Sequence, residues 1–357
     1  MRNGTDRLYE IDGLRILAAL CVVFYHYTFS GWVGGASPVA FPAESAAAKY
    51  GYLGVDLFFL VSGFVVLMSA WNRTPRQFMV SRVVRLYPAY WVGIAITTLV
   101  TLTLGRGLYE LSAPQVLANL TMFQAVPDIP NVDVVYWTLW TEMRFYFLIL
   151  LFTFIGMTRA RVTAALWTWL GLTFAVQLGL LPRVADLVVQ SEFSHYFVAG
   201  MALFMLYRFG LTWQIALIVP ICLGNAVYRA IGYSASVGRR YGVEYEPMIV
   251  TAVVVVIFLV MTLVALRATR VLAKPWLVVA GSLTYPLYLV HAHVGFILFN
   301  RAGDAVNRYV LLFGLIAVML AAAYAIHRFV EQPLAPRIKR LLSGAPGERK
   351  LNESPAP

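Results

Sequence analysis

Long apolar runs alternate with short polar segments along nearly the whole chain. A helix that crosses a membrane needs about 20 mostly apolar residues. Runs of about that length predict ten spanning helices, of which the sixth is the shortest. They are Ile16–Gly34, Gly51–Trp71, Leu86–Leu104, Trp137–Gly156, Val162–Leu181, His195–Tyr207, Leu211–Ala230, Met248–Leu266, Leu277–Phe299 and Tyr309–Ile326. The pattern therefore predicts an all-α, polytopic membrane bundle.

The composition agrees with a membrane protein. Of the 357 residues, 60% are hydrophobic and 13% are charged, and the mean hydropathy is +0.73. Soluble domains carry roughly 25% charged residues, so this chain has too little polar surface to cover a core in water. Its two cysteines, Cys21 and Cys222, lie in apolar runs. We therefore expect packing roles for both, with no disulfide framework and no metal site.

The net charge of +11 has two interpretations, nucleic-acid binding or membrane topology. About two thirds of the 28 Lys and Arg residues fall on one side of the predicted spans, in the N-terminus, in alternate loops and after the last span. This bias places both termini in the cytoplasm and removes the need for nucleic acid. We expect one transmembrane domain over residues 1–341. The segment 342–357, rich in Gly, Pro, Ser, Lys and Glu, is expected to be a disordered cytoplasmic tail.

Ionisable side chains within the predicted spans are candidates for function, because burying them in a bilayer is costly. The first span carries Arg15 near its cytoplasmic end and His26 deeper in the membrane. At about 100° per residue, both side chains project from one helical face, about 16 Å apart along the axis. Arg15 could bind a phosphate while His26 transfers a proton. The alternative is that Arg15 anchors the helix and His26 bonds a backbone carbonyl.

Asp56 in the second span has two possible partners. Its predicted depth lies within about 8 Å of that of His26, so its carboxylate could fix the His26 tautomer. It could instead neutralise Arg144 in the fourth span. Both interpretations stay open from the sequence, and the mechanism that we predict gives Asp56 a catalytic role in orienting or polarising His26.

Arg82 and Arg85 lie three residues apart in the polar segment before the third span, which we predict to be a cytoplasmic loop. Two guanidinium groups on one face suit a phosphate or pyrophosphate. Signalling of topology is the simpler explanation for the same residues, and lipid headgroups are a third.

Two further polar groups mark the fourth and ninth spans. Tyr285, Tyr288 and His291 recur at three-residue steps and suit a sugar or an acyl chain, although interhelical hydrogen bonds would explain them as well. Trp137 and Glu142 lie at the predicted outer end of the fourth span. A tryptophan near a carboxylate suits a sugar ring, while an interfacial anchor is an equal alternative.

Together these residues resemble the acyltransferase-3 family of membrane O-acyltransferases. The resemblance extends over about residues 7–340 and consists of six motifs in order. They are Arg7–Arg15 with His26, Gly54–Gly63, Arg82–Pro88, Trp137–Glu142, Tyr285–His291 and Glu331–Pro333. We expect a stand-alone form of the family, without an extracytoplasmic hydrolase-like domain after the last span.

The resemblance implies an enzyme of the bacterial inner membrane that moves an acyl group, usually acetyl, from cytoplasmic acetyl-CoA to a sugar hydroxyl. His26 is then the catalytic histidine with Arg15 as its partner, and Arg82 and Arg85 contact the CoA phosphates. The partners implied are acyl-CoA, a carbohydrate or glycoconjugate acceptor and membrane lipids. The alternative is a transporter or flippase for a saccharide, although the internal repeat common in transporters is not visible.

Overall fold

A computed structural model describes residues 8–303 and 305–343, and in this part of the chain the regular elements are all helical. We number the main helices α1 to α12. They are α1 (Tyr9–Val33), α2 (Pro42–Ala70), α3 (Pro75–Thr103), α4 (Ala113–Asn119), α5 (Val134–Ile155), α6 (Arg159–Gln177), α7 (Ser194–Phe209), α8 (Trp213–Tyr241), α9 (Pro247–Ala265), α10 (Leu277–Val290), α11 (Ala292–Ala302) and α12 (Arg308–Ser343).

Each of the ten predicted segments is helical, but not every helix qualifies as a span by itself. Among the described residues, seven helices are long and apolar enough to cross a membrane. The total is eight if α10 and α11, which meet at an angle of 65°, count as one broken span. The fifth and sixth predicted spans correspond to α6 and α7, which are not among the seven. The count of ten spans remains a prediction.

Helix α7 lies at the centre of one half of the bundle. Its residues from Ser194 through Leu206 are all buried, and α2, α6, α8 and α9 pack around it. A helix that is apolar on every side belongs inside a protein rather than against lipid. Its 16 residues span about 24 Å, which is shorter than the hydrocarbon core of a bilayer.

Helices α2 and α7 cross at two glycines. A Cβ on Gly200 would collide with the carbonyl oxygen of Leu60, and one on Gly63 would collide with the backbone of Phe197. Small residues allow such close backbone approach between membrane helices. The crossing is therefore fixed by backbone contact, which neither helix can relieve by moving a side chain.

We expect Gly200→Val to lower the thermal stability of the purified protein, because overpacking against backbone costs about 1–3 kcal/mol or more. The measurement is the midpoint of heat-induced loss of the monodisperse peak in detergent. Gly224→Ala is the matched control, since nothing lies within 4 Å of a Cβ at that position. Equal midpoints for the two variants would contradict the close crossing.

The structure differs from three of the sequence predictions. Arg82 and Arg85 lie within α3 and not in a loop, because Thr74 and Gln77 form a capping box that starts the helix at Pro75. Helix α8 continues to Tyr241, well beyond the predicted end at Ala230. The ninth predicted span, Leu277–Phe299, is broken at His291.

The end of the described chain also differs from expectation. Helix α12 runs through Ser343, so the first two residues of the expected tail, 342–357, are helical. The remaining residues of that tail, from 344 on, lie outside the described part of the chain, as does Arg7.

Candidate active site

His26 lies where α1 changes its winding. Residues His26–Ser30 form a π-helical turn between two α-helical parts of α1. Such turns are rare and occur frequently at functional sites. The Nδ1 atom of His26 lies 2.9 Å from the carbonyl oxygen of Val22 and 3.2 Å from Nε2 of His291. The two imidazole rings meet edge-on, with centroids 5.0 Å apart.

The partners of the two rings determine which nitrogens carry protons. Nδ1 of the fully buried His291 lies 2.8 Å from the carbonyl oxygen of Tyr288, so it must donate its proton there. In a neutral ring, Nε2 of His291 is then an acceptor, and it accepts from Nδ1–H of His26. This assignment leaves the lone pair of His26 on Nε2. Within the described chain, that Nε2 atom makes no hydrogen bond. It is therefore free to take up a proton or to attack a carbonyl carbon.

The break between α10 and α11 places His291 against His26. In an unbroken helix, the N–H of His293 would bond the carbonyl of Leu289. Here the N–H of His293 donates instead to Oδ2 of Asp133 at 3.0 Å, and the carbonyl of Leu289 accepts from the Tyr136 hydroxyl at 3.1 Å. The Tyr27 hydroxyl donates to the carbonyl of His291 at 2.9 Å. Asp133 and Tyr136 therefore replace the backbone bond that the break removes. The carbonyl of His291 keeps the backbone bond from Gly295 and accepts from Tyr27 in addition.

Asp133 is a functional candidate that the sequence did not reveal. Its side chain is fully buried just before α5, where it also accepts the N–H of Val135. Its carboxylate lies close enough to act electrostatically on the His291 ring. The signal available was an aspartate four residues before the predicted fourth span, in the region where an N-cap is expected. That signal indicates a cap but not the second bond to His293.

The segment between α3 and α4 covers the broken span. The ring of Tyr109 stacks on His293 with centroids 4.2 Å apart. Burial raises the pKa of Tyr109 to about 12, so the stacked phenol is neutral at physiological pH. Arg301 in α11 donates to the carbonyls of Leu104 and Arg106, which fixes this segment to the helix after the break.

Arg15 lies in a small cavity together with three of the predicted substrate-binding residues. The cavity holds about 70 Å³, and its polar lining consists of Arg15, Ser62, Thr138, Glu142, Thr284, Tyr285 and Tyr288. We call it the arginine cavity. Ser62 donates to Glu142 at 2.6 Å, and the charge of Arg15 interacts with those of Glu142 and Arg85. The sequence-predicted Arg15, Glu142, Tyr285 and Tyr288 are thus brought together.

The histidine pair lies next to the arginine cavity. Tyr288 lines the cavity, and its ring centroid lies 5.5 Å from that of His291. The Tyr288 hydroxyl is hydrogen-bonded to Thr138 at 3.0 Å. His291 therefore contacts His26 and does not itself line the cavity. The side chain of Tyr288 would therefore lie between a substrate in the arginine cavity and the imidazole pair.

Arg82 and Arg85 lie on α3 in different surroundings. The guanidinium of Arg82 packs 5.5 Å from the ring centroids of both Phe78 and Tyr146, and it donates to Ser69 at 3.2 Å. Arg85 is exposed, and its charge interacts with that of Arg82. One guanidinium is therefore held in place while the other is available to an anion.

Neither expected partner of Asp56 is found in the structure. Its carboxylate accepts a hydrogen bond of 2.8 Å from the Tyr196 hydroxyl, and it makes no hydrogen bond or ion pair with His26 or Arg144. Asp56 instead lines a second cavity of about 530 Å³ at the N-terminal end of α7. Trp137 lines this second cavity and Glu142 lines the arginine cavity, so the two residues expected to hold one sugar lie in different cavities.

Residues 8–328 match the acyltransferase domain that defines the acyltransferase-3 family. With its spanning helices, the chain is an integral membrane enzyme that transfers acyl groups. It belongs to the acyltransferase-3 family. This confirms the resemblance on which the sequence interpretation relied.

Two curated relatives align over most of their length, and a third over a short region. The exopolysaccharide production protein ExoZ of Rhizobium meliloti is 28% identical over 83% of this chain and 94% of its own. The acyltransferase MdmB of Streptomyces mycarofaciens is 25% identical over 92% of this chain and 91% of its own. The peptidoglycan O-acetyltransferase OatA of Listeria monocytogenes is 35% identical over 25% of this chain and 13% of its own. No solved structure matches the chain.

Proposed function

We propose that this protein moves an acetyl or other short acyl group from cytoplasmic acyl-CoA to a hydroxyl of a sugar in a polysaccharide or glycoconjugate. The names of ExoZ and OatA, which concern an exopolysaccharide and peptidoglycan, favour a carbohydrate acceptor. We further propose that the enzyme resides in the bacterial plasma membrane with both termini in the cytoplasm, as the distribution of basic residues predicts.

The observation that carries this proposal is the lone pair on Nε2 of His26. In one route, Nε2 of His26 takes the proton of the acceptor hydroxyl while the hydroxyl oxygen attacks the thioester carbonyl carbon. The C–S bond then breaks, and the proton passes from His26 to the CoA thiolate. The His26 cation formed on the way is stabilised by the Val22 carbonyl and by Nε2 of His291, which both accept from Nδ1–H.

A second route uses the same atoms in two steps. Nε2 attacks the thioester carbonyl and displaces the CoA thiolate, which gives an acyl-imidazole. The acceptor hydroxyl then attacks the acyl carbon, the C–N bond breaks, and the released Nε2 takes up the hydroxyl proton. That proton then passes to the CoA thiolate. This route would allow a donor and an acceptor to meet His26 at different times. Both routes end with one ester and one CoA thiol.

The donor phosphates are assigned to the basic residues near the arginine cavity. Arg85 is exposed, Arg82 is held between two aromatic rings, and the charge of Arg15 interacts with that of Arg85. Planar guanidinium groups bind phosphate oxygens in pairs. Mutual repulsion between these cations would be relieved by the negative charges of CoA.

The direct test is release of CoA thiol by the purified protein. Incubation with acetyl-CoA and a panel of oligosaccharides should give thiol and saccharide ester in equal amounts. A saccharide transporter would consume no acetyl-CoA under these conditions. Absence of both products with every acceptor would therefore contradict the proposed reaction.

We expect the double variant Arg82→Gln, Arg85→Gln to bind acetyl-CoA about 10-fold or more weakly, because charge-assisted hydrogen bonds to phosphate contribute about 1.5–3 kcal/mol each. The measurement is equilibrium binding of acetyl-CoA to the detergent-solubilised protein. The control is Arg270→Gln, Lys274→Gln, which removes the same charge from two exposed positions. If the Arg82→Gln, Arg85→Gln protein bound acetyl-CoA as tightly as this control, the phosphate-binding role would be contradicted. Arg82 and Arg85 would then be explained by membrane topology.

A further inference from the structure

The 530 Å³ cavity is lined by residues that the donor chemistry does not use. We call it the aromatic cavity and define it by Tyr52, Asp56, Trp137, Glu192, Arg229 and Tyr233. These residues come from α2, α5, the segment before α7, and α8. Tyr233 is there because α8 continues beyond Ala230, whereas Arg229 lies within the predicted part of that helix.

The aromatic side chains of the cavity are only partly packed. Trp137 is 37% exposed and Tyr233 is 43% exposed. Indole and phenol groups combine a flat apolar face with a polar tip. Such faces match the C–H surface of a pyranose ring, which is apolar on its faces and polar around its edge. The partly open rings therefore fit a sugar better than an acyl chain, which would favour closed apolar walls.

The charges of the cavity agree with a polyhydroxylated ligand and disfavour CoA. The carboxylates of Asp56 and Glu192 interact electrostatically with each other, and Arg229 is the one cation in the lining. Carboxylates accept hydrogen bonds from hydroxyl groups, and a guanidinium donates to ring and hydroxyl oxygens. Two carboxylates against one guanidinium would repel the phosphates of the donor.

The aromatic cavity and the arginine cavity adjoin along α2. Val55 lines both, Asp56 lines the aromatic cavity, and Phe58 lines the arginine cavity. The aromatic cavity also approaches the histidine pair. The ring of Tyr52 lies 5.7 Å from that of Tyr25, which in turn lies 5.1 Å from the His26 ring.

We propose that the aromatic cavity binds the acceptor sugar, with the ring against Trp137 and Tyr233 and with hydroxyl groups bonded to Asp56, Glu192 and Arg229. The inference rests on the proposed acetyl transfer and adds the place and the determinants of acceptor recognition. It replaces the expectation that Trp137 and Glu142 hold one sugar together. On this proposal the acceptor occupies the aromatic cavity and the donor the adjoining arginine cavity.

The test measures acceptor and donor recognition separately on the full-length protein in detergent. Acetyl transfer from radiolabelled acetyl-CoA is followed with cello-, galacto- and chito-oligosaccharides at varied concentration, and acetyl-CoA affinity is measured by equilibrium binding. The variants are Tyr233→Ala and Glu192→Gln. Their matched controls are Tyr324→Ala and Glu110→Gln, at exposed positions outside the cavity lining.

We expect each cavity variant to raise the KM for the saccharide about 5- to 10-fold while the affinity for acetyl-CoA stays that of the wild type. Both variants change partly exposed side chains, so a monodisperse elution profile is expected and is recorded for each. A saccharide KM equal to that of the controls would overturn the acceptor assignment and leave the transfer reaction standing. Weaker acetyl-CoA binding would overturn it by showing a donor site. If the wild type released no CoA thiol with any saccharide, the proposed reaction would fail, and the acceptor assignment with it.

Discussion

Replacement of His26 by alanine should reduce acetyl transfer by about 10²- to 10⁴-fold, the contribution usual for a positioned general base. The reason is that Nε2 of His26 carries the lone pair that both proposed routes require. The measurement is the initial rate of saccharide ester formation at saturating acetyl-CoA. Binding of acetyl-CoA should persist, because the basic residues assigned to its phosphates lie elsewhere.

His327→Gln provides the control for loss of a histidine. His327 lies in α12, where Glu331 holds it at 2.7 Å, and it takes no part in the histidine pair. A His26→Ala protein that elutes as a single species and transfers acetyl at the wild-type rate would contradict the mechanism.

The same His26→Ala preparation also distinguishes the two proposed routes. Acid quenching after brief exposure to radiolabelled acetyl-CoA, with no acceptor present, should label the wild type and not His26→Ala if an acyl-imidazole forms.

The second large effect is expected at His291. In His291→Phe the acceptor for Nδ1–H of His26 is lost while the ring volume is roughly kept, so the His26 cation loses one of its two stabilising partners. We expect kcat to fall about 10²-fold, the lower end for general base catalysis. The KM for acetyl-CoA should change little, because His291 is outside the arginine cavity.

A conservative substitution distinguishes positioning from mere packing at His291. The amide oxygen of His291→Gln can accept from His26 as the imidazole nitrogen does. We therefore expect it to recover a large part of the activity lost in His291→Phe. Equal losses in both variants, with unchanged elution profiles, would indicate that His291 acts by filling space alone.

Much of the architecture could be predicted from the sequence because apolar runs identify helices wherever they lie. The candidate residues were also found one by one, since a charge within an apolar run is conspicuous by itself. Helical periodicity correctly grouped Tyr285 with Tyr288 on one face. Their common cavity with Arg15 and Glu142 could not be predicted, because it depends on how four helices pack.

The features of the candidate site that sequence reasoning missed depend on contacts between distant segments. The break at His291 is stabilised by hydroxyls of Tyr27 and Tyr136 and by the carboxylate of Asp133. None of these side chains is unusual in its own segment. The pairing of Asp56 with Tyr196 is of the same kind, since depth in the membrane limits the possible partners without choosing among them. The capping box of α3, in contrast, is a local pattern that could have been recognised in the sequence from Thr74 and Gln77.

The hydrogen bond between His26 and His291 joins positions 265 residues apart. During synthesis from the N-terminus, His26 is thus made early and lacks its partner until most of the chain has followed. Asp133 and Tyr136, which hold the break, are also in place before His291 arrives. A nascent or truncated chain ending before α10 therefore contains the His26 imidazole without the ring that accepts from its Nδ1–H. On the proposed mechanism, the order of synthesis would delay thioester chemistry until His291 has been added.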